Sequence, residues 1–194
     1  MNNEVQIRHA AEIQAAGAHQ NVHTGSGDIY SNVGSLTVNN IVTYTYPQLY
    51  YPDEINFKYY NLFVIEKQGF NGSLVIAKNR ALKESITDEV YARFGKFGKA
   101  EQEEIMKLPT LIATRNRHGR STDEDHYMMY GFVKKFSIQG DLLMVEYSMN
   151  YQLSQQQINQ IEDALQLEYA PDTNELDRVH YTIKEVNLRK VIGI

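Results

Sequence analysis

The clearest hydrophobic pattern in the chain lies between Met128 and Tyr147. Two apolar, β-prone runs, Met128 to Ile138 and Leu142 to Tyr147, flank the short polar turn Gln139-Gly140-Asp141. Such a pair of runs about a glycine-containing turn predicts a β-hairpin. Two further apolar runs, Tyr59 to Glu66 and Gly72 to Ala77, are spaced as a hairpin with a longer loop. The period then changes. Thr87, followed by Asp88 and Glu89, opens a helix through Val90, Tyr91 and Phe94 that Gly95 or Gly98 should stop, and Lys99 to Lys107 makes a second short helix ended by Pro109. Leu111 to Thr114 returns to strand. Beyond the hairpin, Ser154 and Gln157 form a capping box, Leu153 and Ile158 a hydrophobic staple, and Ile158, Ile161 and Leu165 an apolar stripe. Together they predict a helix from about 155 to 167. Pro171 to Asn174 reads as a loop, and Val179 to Val186 alternates as a strand with Val179, Tyr181 and Ile183 on one face. The order β-β-α-α-β-β-β-α-β predicts an α+β domain. Its sheet should be mainly antiparallel and could curl into a barrel, with a pair of short helices inserted, one longer helix near the C-terminus and no alternating βαβ organisation.

The first 45 residues differ from this pattern. Residues 2 to about 18 fit a short helix whose small apolar face needs a partner to pack on. Residues 21 to 43 then place single aliphatic residues among Gly, Ser and Asn, which suits either a flexible linker or short strands that pair between subunits. The chain therefore divides into residues 1–45, expected to promote self-association, and an α+β domain over 46–194. Tyr44, Tyr46, Tyr50, Tyr51, Tyr59 and Tyr60 cluster where the two meet, either as a binding surface or as the lid on a small core.

Composition narrows the function classes. With 194 residues, 42% of them hydrophobic, the chain can build one ordinary core plus an appendage. A net charge of −5 opposes the continuous basic footprint of a nucleic-acid binder. The absence of cysteine removes disulfides, thiol nucleophiles and cysteine-based metal centres. No run approaches the ~18 apolar residues of a membrane span, and the start has no leader-like pattern, so a cytoplasmic location is expected.

The densest collection of reactive side chains runs from Arg115 to His126. Arg115, Arg117 and Arg120 surround Gly119 and could fork onto a phosphate or carboxylate, with His126 beside them. Asp123, Asp125 and His126 are oxygen and imidazole donors, but they match no closed ligand pattern, and no metal or cofactor is assigned. The opposite charges of this loop can also neutralise one another in solvent. In the last strand His180 and Thr182 point to one face. His-x-Thr on a strand resembles the motif of the two-histidine phosphoesterases, which use two such motifs for acid and base catalysis. The second motif here would be His126-Tyr127-Met128, which lacks the hydroxyl residue. There is no Gly-x-Ser-x-Gly elbow, phosphate-binding loop or dinucleotide fingerprint.

Two stretches resemble known bacterial sequences. The Gly-Asp-Ile-containing segment 21–43 is similar to those beside bacterial signalling and anti-phage effector domains. The blocks Leu108 to Ala113, Tyr130 to Val133 and Glu175 to Leu188 resemble an uncharacterised bacterial domain with a Leu-Asn-Arg-Thr-His-Trp-Ala-Val-Lys-type C-terminal signature; Tyr181 and Thr182 depart from its Trp-Ala. The resemblance implies a bacterial protein working beside signalling or defence proteins. Together these features lead to the expectation of a non-enzymatic interaction module that binds a protein or a small anionic ligand. The alternative is a phosphodiesterase or nucleotide-processing enzyme, with the three arginines holding phosphate and His118, His126, His180 and Thr182 as candidate catalytic groups.

Overall fold

A computed structural model describes residues 20–21, 35–38, 41–45, 49–66, 69–83 and 85–194. The helix expected over residues 2–18 and much of the glycine-rich stretch lie outside these residues. The twelve described strands are β1 (Gln20–Asn21), β2 (Ser35–Val38), β3 (Ile41–Thr45), β4 (Tyr60–Ile65), β5 (Ser73–Ala77), β6 (Pro109–Thr114), β7 (Tyr127–Gln139), β8 (Leu142–Tyr147), β9 (Tyr151–Ser154), β10 (Glu168–Ala170), β11 (Thr173–Asn174) and β12 (His180–Lys184). The described helices are α1 (Asp88–Phe94), α2 (Lys99–Ile105), α3 (Gln155–Asn159) and α4 (Leu188–Ile192), with 3-10 turns at Lys78–Arg80, Asp163–Leu165 and Glu175–Asp177. The protein is α+β.

The main sheet runs β1-β2-β3-β9-β7-β6-β4-β12 and is mixed, with β4 and β6 parallel. Among the described residues β1 and β12 do not meet, so the sheet is open and the barrel-like closure does not occur. β3 pairs with β9, Thr43 opposite Leu153, so the sheet continues across residue 45.

β4 is covered on both faces, and its side chains alternate between two cores. Phe63 joins Leu74, Phe94, Ile112 and Tyr181 on one side, while Leu62 and Val64 join Leu111, Met128, Leu176 and Leu188 on the other. A strand buried on both faces reads as a continuous apolar run, as Leu62 to Ile65 does. Tyr59 and Tyr60 are core residues, and the Tyr60 hydroxyl donates to Leu165 O at 2.7 Å.

β7 serves two sheets. Its first half pairs with β6 and β9; its second half pairs with β8, which in turn pairs with β5. The changeover falls at a register shift between Val133 and Lys135. Just before it, Gly131 lets the backbone of Ser148 approach so closely that a Cβ would collide with Ser148 O. The β7-β8 hairpin is the one expected from the sequence, with Gly140 at φ +59 in its turn.

Three expectations are corrected. The runs at 59–66 and 72–77 form no hairpin: β4 has both edges occupied, by β6 and β12, while β5 buries Leu74 and Ile76 on one face only and pairs with β8. The chain from β4 to the parallel β6 passes through β5, α1 and α2, so one helical crossover is present. The helix predicted over 155–167 stops at Asn159 and resumes as the 3-10 turn Asp163–Leu165, because Asn159 turns inward to bond Asn116 and Asn174. Its start is as expected, with Ser154 Oγ accepting from Gln157 N at 3.3 Å.

Candidate functional site

The loop from Arg115 to His126 is stitched into the fold. Arg115 donates to Asp177 O at 3.1 Å and meets Glu66 at 3.4 Å; Arg117 pairs with Asp123, and Arg120 with Glu162 and Pro171 O. The three guanidiniums thus each meet a different carboxylate within the chain. His118 is exposed, and its backbone exchanges hydrogen bonds with Ser121. His126 is buried between the hydroxyls of Thr114, at Nε2, and Thr122, at Nδ1. Burial and then the Arg117 charge push its pKa below the ordinary imidazole value.

Beneath this loop lies a polar network with no signature in the sequence. The Asn116 amide donates to Asn159 Oδ1 at 3.1 Å and to Asp177 Oδ1 at 2.9 Å, and Gln155 donates to Thr114 O at 2.8 Å and Asn116 Oδ1 at 2.9 Å. Asn174 donates to Asn159 and to Glu162, each at 2.8 Å. These residues come from three segments, 114–116, 155–162 and 174–177, so no spacing could reveal them. Their mutual bonds make the network a structural clamp for the loop, with Gln155 Oε1 left as its one buried acceptor without a partner among the described residues.

The opposite end of the 3-10 turn Glu175–Asp177 leads to β12. Glu175 has no exposed side chain, yet carries a charge: Lys184 Nζ donates to its Oε1 at 2.9 Å, and His180 Nε2 lies 2.6 Å from its Oε2. This second contact is an ion-pair approach without hydrogen-bond alignment. Arg178 Nε approaches the same Oε2 at 4.0 Å. Burial raises the Glu175 pKa, but His180 and Lys184 outweigh it and hold the carboxyl at about 2. Lys184 also donates to Ser85 O at 2.8 Å, and His180 Nδ1 faces Arg178 O at 2.9 Å. Thr182 shares a strand face with His180, as expected, and its fully buried Oγ1 has no hydrogen-bond partner.

Both ring nitrogens of His180 therefore point at oxygens inside the protein. His126 and His180 share no hydrogen-bond partner. Among the described residues no group of three His, Asp or Glu converges as a metal site, and no helix is long and apolar enough to cross a membrane.

The outer edge of β12 carries a different feature. The segment after β5 folds back along it: Ala81 bridges Tyr181, Leu82 N donates to Tyr181 O at 2.9 Å, and Lys78 N reaches the β7-β8 turn at Asp141 O, 2.8 Å away. Between this segment and the start of β12 is a cleft of about 250 Å³. Asn79, Arg80 and Lys83 line one wall; Arg178, Val179, His180 and Tyr181 line the other. Among the described residues no carboxylate lines it. Arg80 and Lys83 are exposed and have no acidic partner among the described residues, while the Arg178 guanidinium lies 4.0 Å from the centre of the Tyr169 ring. A larger cleft of about 520 Å³ near α2 contains both signs of charge, already joined as the Arg93–Glu104 and Lys107–Glu54 pairs.

The sequence pointed to His180 but missed Arg80 and Lys83. A signal was present in Lys78-Asn79-Arg80-Ala81-Leu82-Lys83, a basic run with no acidic residue. In comparisons with known proteins, no family model, no curated protein and no solved structure matches this chain.

Proposed function

We propose that this protein is a recognition module that binds a small anionic ligand in the cleft between residues 79–83 and 178–181, without turning it over. The observation that carries the reading is the lining: Arg80, Lys83 and Arg178 line one space with no carboxylate among the described residues of its walls, in a chain whose net charge is −5. Cations gathered around a concave surface attract an anion and hold it by charge-assisted hydrogen bonds. The closed ring nitrogens of His126 and His180 support binding over acid–base catalysis, since a general base needs a nitrogen directed at the substrate. A thermal-shift titration with inorganic phosphate tests this, because a ligand bound by the native state alone raises apparent stability. The wild type should shift upward in a saturable way and Arg80→Ala/Lys83→Ala should not; equal responses contradict the reading.

The setting proposed for this module is the bacterial cytoplasm, beside signalling or defence proteins, with self-association through residues 1–45. It rests on the two sequence resemblances. Sedimentation of the full chain over a range of concentrations tests the assembly, and a monomer at every concentration contradicts it.

A further inference from the structure

We infer that the anion taken by this cleft is the phosphoryl group of a small phosphomonoester, an inference that rests on the cleft being the anion site. Charge points there first. Arg80 and Lys83 on one wall have no acidic partner among the described residues, and Arg178 on the other lies 4.0 Å from Glu175 Oε2, a carboxylate it shares with Lys184 and His180. A carboxylate or a phosphodiester brings about one negative charge, whereas a phosphomonoester brings roughly 1.5 to 2 at neutral pH, with three strong acceptor oxygens. The monoester is the common anion that best compensates the cluster while giving each cation an oxygen.

The backbone that carries two of the cations is also held in place. Leu82, between Arg80 and Lys83, has φ +50 although it is not glycine. A left-handed conformation in such a residue is strained and persists where its surroundings enforce it. Here the Leu82 side chain is 1% exposed in the core, and its N–H is bonded to Tyr181 O. The bend thus presents Arg80 and Lys83 from a fixed turn opposite Arg178, whose guanidinium is laid against Tyr169. A guanidinium stacked on a ring, as that of Arg178 is, favours a planar or tetrahedral oxyanion with several acceptors.

Size limits what else can enter. At about 250 Å³ the cleft lies below the roughly 300–1,000 Å³ of sites for drug-sized ligands. It accommodates a phosphoryl group with a small organic substituent, and a dinucleotide exceeds it.

Calorimetric titration of the full chain with glycerol phosphate, dimethyl phosphate and acetate, at matched ionic strength, tests the inference. Glycerol phosphate should bind about tenfold or more tightly than the other two, and Arg80→Ala or Lys83→Ala should each remove about tenfold of that affinity. Both residues are exposed, so the variants should fold; Lys135→Ala, which removes a cation that pairs with Glu146 and does not line the cleft, should bind as the wild type does. If all three ligands bind equally and still depend on Arg80 and Lys83, the cleft remains an anion site and the phosphomonoester inference falls. If no ligand binds, or the substitutions change nothing, both fall.

Discussion

Glu175 has no exposed side chain, and its two oxygens are divided between Lys184 and His180. Removing one partner from a buried ionic cluster leaves an uncompensated charge, at a cost of about 3–5 kcal/mol. Glu175→Gln should therefore lose that much stability in denaturant unfolding, and Glu175→Gln/Lys184→Met should recover part of it; a loss under ~1 kcal/mol contradicts the account. The same group fixes a pH dependence. Its folded pKa of about 2 lies below the ordinary 4.5, so its contribution is present above 4.5 and is lost as pH falls toward 2. His126 acts at higher pH. Its pKa is lowered by burial and then by Arg117, so below about 6.5 the unfolded chain takes up a proton that the folded ring resists. Unfolding free energy should fall in two stages on acidification. His126→Gln should flatten the upper stage and Glu175→Gln the lower one.

At the scale of elements, β7 joins the two sheets, and Gly131 is where it passes Ser148. A methyl group there would meet the Ser148 backbone, which cannot swing aside as a flexible side chain can. Gly131→Ala should cost about 3 kcal/mol or more, measured by thermal or urea unfolding; a change near zero shows that the strands separate freely. The β7-β8 hairpin is legible in the sequence because both runs are continuous and Gly140 supplies the positive φ of the turn. The Ser154 cap is legible for a similar reason, since capping is local chemistry. The end of that helix is set by distant residues instead. Asn159 is drawn into bonds with Asn116 and Asn174, far away in the chain, and the apolar stripe through Ile161 and Leu165 carries no sign that the helix stops there. Likewise the pattern of Tyr59 to Ile65 marks a strand, while its partners β6 and β12 are set by the whole sheet.

For the molecule as a whole, a net negative chain gathers cations at one edge of its sheet, and the proposed binding rests on that contrast. The α+β class and most elements could be read from the sequence. The site was legible only in part. His180 stood out by residue type, but its ring proved to be part of the wall, while Arg80 and Lys83 acquire meaning only when Leu82 docks on Tyr181. The arginine-rich loop drew attention by density, yet its charges are engaged by Asp123, Glu162, Glu66 and Asp177. Amide chemical-shift mapping of the isotopically labelled full chain during titration with inorganic phosphate, at constant ionic strength, tests the cleft as the anion site most directly. Saturable shifts should centre on residues 78–83 and 178–181; shifts centred on residues 115–126, or no saturable shift, would contradict the account.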